Sequence, residues 1–168
     1  MSKILNLGNV KPLKPNHDKV TLRALEQLVE LDEDCLPSEA WHSGIWEAFL
    51  EKRLCLLLHD ENAFALFTIA ADEAEIIKVG VRSKMRRQGL AKKMLTQAFG
   101  ILISMEIKKV ALEVRSSNEA AKKLYESLGF TKAGLRKSYY RHPAEDAQIW
   151  IKQMDGVQRE KTEMELKL

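Results

Sequence analysis

IIKVGVRSKMRRQGLAKK, residues 76–93, decides how this chain is read. Ile76 to Val81 closes an apolar run of strand length, Arg82 to Gln88 is polar and basic, and Gly89 opens a helical pattern through Leu90, Met94, Leu95, Ala98 and Leu102. A strand that passes through a loop and a glycine into a helix aims unpaired backbone N–H groups and the positive end of the helix dipole at one spot. Such a spot suits a pyrophosphate. Gly89 allows close backbone approach, and small Ala91 keeps the first turn open. Arg82, Lys84, Arg86, Arg87, Lys92 and Lys93 surround it with positive charge. A solvated basic loop ahead of an ordinary helix accounts for the loop composition equally well. There is no GxGxxG run with repeated βαβ units and no Walker A loop, so the familiar dinucleotide and nucleoside-triphosphate sites do not apply.

Upstream, Ile4 to Pro15 has room for one short strand. Asp18 is placed to cap a helix with apolar residues at Leu22, Leu25, Leu28, Val29 and Leu36, ending near Pro37. Ser38 is placed to cap a second helix carrying Trp41, Ile45, Phe49 and Leu50. Arg53–His59, Ala63–Ala70 and Ala74–Val81 read as consecutive strands. Downstream, Val110–Val114 alternates as a strand, with Val110, Leu112 and Val114 on one face and Ala111 and Glu113 on the other. Ala121, Leu124, Tyr125 and Leu128 follow helical spacing, and Gly129-Phe130 suggests a Schellman cap. Ala133–Tyr140 and Ala147–Met154 form a closing hairpin. This order predicts one α+β domain over 1–154, built on a mixed sheet, with a charged tail over 155–168.

Composition excludes little beyond extremes. The 168 residues are 45% hydrophobic and 30% charged, with a net charge of +3, too small to argue for nucleic-acid binding. Cys35 and Cys55 sit among leucines and the four histidines are scattered, so buried reduced thiols are expected and no metal site. No signal-peptide pattern or membrane-spanning run is present, which points to the cytoplasm.

Several stretches together resemble a known family. Arg86-Arg87-Gln88-Gly89-Leu90-Ala91 matches the (Gln/Arg)-x-x-Gly-x-(Gly/Ala) signature of GNAT acetyltransferases. Leu112-Glu113-Val114-Arg115, Asn118 and Leu124-Tyr125-Glu126-Ser127-Leu128-Gly129-Phe130 are similar to the RimI branch, which acetylates the N-terminal alanine of a small-subunit ribosomal protein. Ala63–Ala74, Tyr139-Tyr140 and Glu145-Asp146-Ala147 share the likeness. It implies the GNAT fold, with a mixed, mostly antiparallel twisted sheet of six to seven strands flanked by helices. It also implies acetyl-coenzyme A as cosubstrate, a protein N-terminus as acceptor, and neither nucleic acid nor membrane as partner.

By that resemblance, Val79, Gly80 and Val81 line the acetyl-pantetheine arm, and Arg87, Gln88, Gly89, Leu90, Ala91 and Lys92 cradle the pyrophosphate. Asn118 contacts the cofactor further along. Lys78 departs from the uncharged residue implied before this stretch. Glu113 is a lone carboxylate in an apolar strand: on the pattern alone a residue paired with Arg115 or a lysine, by resemblance the general base. Tyr125 lies on an apolar stripe as a core aromatic would, and by resemblance is the acid that meets the leaving thiolate. Tyr139 and Tyr140 are adjacent on a strand and so should point to opposite faces, one packing inward; on the pattern alone both are ordinary strand aromatics, and by resemblance the outer one walls a peptide groove. A GNAT enzyme for a small amine and a non-catalytic coenzyme A-binding module are the competing functions.

Overall fold

The computed structural model describes residues 22–52 and 54–154. The elements are α1 (Leu22–Cys35), α2 (Ser43–Lys52), β1 (Cys55–His59), β2 (Ala63–Ala70), β3 (Glu73–Val81), α3 (Leu90–Ser104), β4 (Lys109–Arg115), α4 (Glu119–Ser127), β5 (Thr131–Arg141) and β6 (Ala144–Gln153), with a short 3-10 turn at Ser83–Met85. Among the described residues the sheet has six strands in the order β1-β2-β3-β4-β6-β5. β3 and β4 run parallel; β1 and β2, β4 and β6, and β5 and β6 pair antiparallel. This is the expected mixed α/β architecture. The strand anticipated in Ile4–Pro15, the Asp18 cap and the tail 155–168 lie outside the described residues. No described helix is long and apolar enough to cross a membrane.

The chain divides into two compact units: residues up to Ile69 together with Lys78–Met94, and Ala70–Ile77 together with Leu95 onward. In the first, β2 is buried at nearly every position, as its continuous apolar run AFALFTIA requires. Trp46 is fully buried and meets Phe64 edge-on at 5.8 Å, with Trp41 at 5.0 Å. The most consequential residue there is Asp32 on α1, which has no exposure at all. Its Oδ2 accepts from the Lys78 ammonium at 2.5 Å, the Trp41 backbone N–H at 2.9 Å and the Trp46 indole N–H at 3.1 Å. Lys78 also donates to the Glu39 carbonyl at 2.8 Å and lies 4.7 Å from the Trp41 ring centroid. Burial pushes the Lys78 pKa down, against the opposing pull of Asp32.

These bonds correct the expected start of α2. Ser38 lies in a turn closed by Glu39 N–H donating to the Leu36 carbonyl at 2.9 Å, and the helix begins at Ser43. Asp32 holds the Trp41 backbone and Lys78 holds the Glu39 carbonyl, so the chain cannot coil until it has passed both. Lys78 departs from the implied pattern because it belongs to this anchor. It shares a strand face with Gly80, while Val79 and Val81 take the other.

In the second unit Val110, Leu112 and Val114 of β4, Leu95, Ala98, Phe99 and Leu102 of α3, Phe130 and Trp150 are buried, with Trp150 paired to Leu112 and Phe99 5.9 Å from Phe130. The cap on α4 is the expected Schellman motif. Phe130 N–H bonds to the Tyr125 carbonyl at 3.0 Å, Gly129 N–H to that of Glu126 at 2.9 Å, and Gly129 takes a φ of +84°.

Replacing Lys78 by methionine strips a buried carboxylate of its cation. Removing one partner of such a pair costs about 3 to 5 kcal/mol, and urea unfolding of Lys78→Met measures it. A loss below about 1 kcal/mol would mean the tryptophan donors alone satisfy Asp32.

Candidate functional site

The loop ahead of α3 has the geometry its sequence suggests. Arg87 and Gly89 take φ values of +62° and +78°, which turn the chain sharply into the helix. A Cβ on Gly89 would meet nothing within 4 Å, so its surroundings are open. The Gly89 carbonyl accepts the Lys93 N–H at 2.9 Å. The N–H groups of the first turn, at Leu90, Ala91 and Lys92, therefore have no intrahelical acceptor. No acidic residue lies in that turn. Open space, unpaired donors and a positive helix end fit a diphosphate.

The six cations do not act alike. Arg82 pairs with Asp34 and, at 3.6 Å, with Glu30, while its Nε donates to the Glu61 carbonyl at 2.8 Å. Arg86 donates to the Cys35 carbonyl at 2.8 Å and to that of Val81 at 3.1 Å. Both are engaged at the C-terminal end of α1, where unpaired carbonyls attract cations. Lys84, Arg87, Lys92 and Lys93 are exposed. Gln88 donates to the Lys84 carbonyl at 3.3 Å. Gly80 has a reason of its own: a Cβ there would sit 2.4 Å from Phe64 and 2.7 Å from the Cys35 Cβ. Cys35 and Cys55 are buried free thiols, and burial pushes Cys35 up to about 11.

In the second unit, Glu113 is half-buried on the face of β4 opposite its core residues. Among the described residues it pairs with Arg136 of β5, whose Nε lies 2.7 Å from Glu113 Oε1, rather than with Arg115 or a lysine. The hydroxyl of Tyr139 hydrogen-bonds to the same carboxylate, which, more than burial, keeps that phenol protonated above its usual pKa. Glu75 of β3 adds to this push on Tyr139. Arg115 instead pairs with Glu145 at 3.6 Å and stacks on Tyr140 at 3.9 Å.

The expectation that Tyr139 and Tyr140 point to opposite faces is overturned. Their rings meet edge to face with centroids 5.2 Å apart. Alternation fails because β5 bulges: Arg136 pairs with Ala147 and Tyr140 with Glu145, so Lys137, Ser138 and Tyr139 together oppose Asp146. Ser138 takes a φ of +52°, and its N–H donates to the Asp146 carboxylate at 2.7 Å.

Tyr125 is buried against Phe130, with ring centroids 5.6 Å apart. Burial, with a smaller contribution from Tyr140, pushes its pKa up to about 12. Asn118 caps α4, its side-chain oxygen accepting the Ala121 N–H at 3.1 Å. Glu113, Tyr139 and Tyr140 thus come together, and Tyr140 acts on Tyr125. Arg136 is the member that sequence reading missed. It sits in register with Arg115 across small Ala147, a relation that exists only once β4, β6 and β5 are paired.

The sequence model of the acetyltransferase (GNAT) family matches residues 25–130. The chain is 42% identical over 81 residues to the [ribosomal protein bS18]-alanine N-acetyltransferase of Haemophilus ducreyi, a stretch covering 48% of this chain and 56% of that protein. To the Escherichia coli protein of the same description it is 41% identical over 78 residues, 46% of this chain and 53% of that one. The matches to these curated relatives thus span about half of their length. The crystal structure of the Escherichia coli ribosomal-protein-S18-alanine N-acetyltransferase superposes with a TM-score of 0.73 at 27% identity, covering 88% of this chain and 94% of that one.

The chain has three tyrosines, Tyr125, Tyr139 and Tyr140, so phenol absorbance reports on these positions directly. Tyr125 should ionise last, near pH 12, and Tyr125→Phe should remove that final phase. Its raised pKa gives a stability contribution that is whole below about pH 10 and lost as pH rises through about 12. A spectrum in which all phenols titrate together near pH 10 while the fold persists would contradict the burial assigned to Tyr125.

Proposed function

The chain belongs to the GNAT acetyltransferase family, and on that premise we propose that it transfers the acetyl group of acetyl-coenzyme A to the N-terminal amine of another protein, with an alanine-initiated small-subunit ribosomal protein as the favoured acceptor. The observation that carries this reading is Glu113, a half-buried carboxylate set between Arg136 and Tyr139. We place the reaction in the cytoplasm, where buried free thiols such as Cys35 and Cys55 stay reduced.

Acetyl-coenzyme A supplies the activated thioester. The N–H groups of Leu90, Ala91 and Lys92, the exposed Lys84, Arg87, Lys92 and Lys93, and the open space at Gly89 would hold its phosphates. Backbone groups of Val79 to Val81 would pair with its pantetheine arm as an added strand does, and Asn118 would contact it further along. Glu113 takes the proton from the acceptor ammonium, directly or through one water. An α-amine, with a pKa of about 7.7 to 8.0, needs only a modest base, whereas lysine at about 10.4 holds its proton several hundred times more firmly. Tyr125 hydrogen-bonds to the leaving sulfur and keeps its proton. With its pKa near 12 against about 8.5 for a thiol, full transfer would be uphill by about 5 kcal/mol. The Tyr139-Tyr140 pair forms one wall of the acceptor groove.

Three measurements follow. Gly89→Val imposes a strained φ on a β-branched residue and fills the open space, and should weaken acetyl-coenzyme A binding at least tenfold by calorimetry; unchanged affinity would remove the phosphate cradle. Glu113→Gln should keep that affinity and lower turnover by about 10² to 10⁴, with partial recovery between pH 7 and 9 as the amine deprotonates unaided. In an acceptor panel, a peptide beginning with alanine should be acetylated, its N-blocked version with an internal lysine scarcely, and spermidine hardly at all. Turnover of spermidine beside a silent alanine peptide would sink the proposal.

A further inference from the structure

Among the described residues Arg136 is the cation paired with Glu113, and the acetyl-transfer reading gives it no task. Its guanidinium lies mostly in water, with its side chain 57% exposed against 15% for Glu113. A pair of that kind adds little to stability. Its geometry is nevertheless specific. The rows Glu113–Ile149–Gly134 and Arg115–Ala147–Arg136 run side by side across β4, β6 and β5. Gly134 presents no side chain in the first row and Ala147 only a methyl in the second. The long Arg136 side chain can therefore cross β6 and reach the carboxylate. On the other side the bulge at Ser138 delivers the Tyr139 hydroxyl to the same group, and the Arg136 guanidinium lies 5.7 Å from the Tyr139 ring centroid.

We propose that Arg136 is the positioning residue for the base, its guanidinium fixing Glu113 Oε1 while Tyr139 holds the carboxylate from the hairpin side, so that the acceptor ammonium meets an already oriented acceptor of its proton. An ionised carboxylate accepts about four hydrogen bonds. Arg136 and Tyr139 take two, and room is left for the ammonium. Glutamate otherwise has three side-chain torsions to order at each turnover, and a planar guanidinium removes that freedom in a way a point charge does only in part. The inference rests on the reading of Glu113 as the base, and its test separates the two.

Acetylation of an alanine-initiated peptide is followed for wild type, Arg136→Gln, Arg136→Lys, Glu113→Gln and the Glu113→Gln/Arg136→Gln double variant, with circular-dichroism melts alongside. The expected result is a kcat lowered about five- to tenfold in Arg136→Gln, an unchanged KM for acetyl-coenzyme A, and recovery to within about twofold of wild type in Arg136→Lys. In the Glu113→Gln background, loss of Arg136 should cost nothing further, because its effect passes through that carboxylate. A wild-type kcat in Arg136→Gln, multiplying losses in the double variant, or a raised peptide KM at constant kcat would overturn the positioning role while leaving the acetyltransferase reading intact. A wild-type protein inert toward the peptide overturns that reading, and the role of Arg136 with it.

Discussion

Asp32 Oδ2 gathers an ammonium, an indole N–H and a backbone N–H at one buried point. Each donor comes from a different part of the first unit: Lys78 from β3, Trp46 from α2 and Trp41 from the connection between α1 and α2. Taking a carboxylate out of water is costly, and several donors converging on one oxygen offset that cost only if all of them are held in place. The carboxylate thus sets where α2 begins and which face of β3 turns inward, and it leaves Val79 and Val81 on the opposite face. Asp32 Oδ1 is buried without a hydrogen-bond partner among the described residues, so the anchor depends wholly on Oδ2.

The same unit divides the labour among its basic residues. Arg82 and Arg86 are held at the end of α1, one by carboxylates and one by carbonyls, and they tie the loop to that helix. Lys84, Arg87, Lys92 and Lys93 are exposed around a helix start that carries no acid. Two positive φ values within three residues bring the backbone to that start. A positive charge count is therefore a poor guide to phosphate contacts, because a guanidinium with a nearer carbonyl or carboxylate is already satisfied.

In the second unit an irregularity does the corresponding job. A regular β5 would send Tyr139 and Tyr140 to opposite faces. The bulge at Ser138, held by Asp146, sets them edge to face and brings a phenol onto Glu113. The Schellman turn after α4 places Phe130 against Tyr125 and closes the apolar surroundings that raise the Tyr125 pKa. Local backbone departures thus decide which polar groups share a neighbourhood.

The sequence by itself determined the order of helices and strands, the glycine turn into α3 at Gly89 and the Schellman cap at Gly129-Phe130, and it marked Glu113 as an acid in an apolar strand. Each is a local signal: hydrophobic period, a glycine needing positive φ, or an acid in an apolar strand. Tertiary structure alone decided that Lys78 serves Asp32, that Arg82 and Arg86 brace α1, that α2 waits until Ser43, and that Arg136 and Tyr139 hold Glu113. Those pairings join residues from 9 to 51 positions apart, or cross a strand at a bulge. No periodicity within one segment records which residue of another segment will face it, because that depends on strand register and on the packing of whole elements.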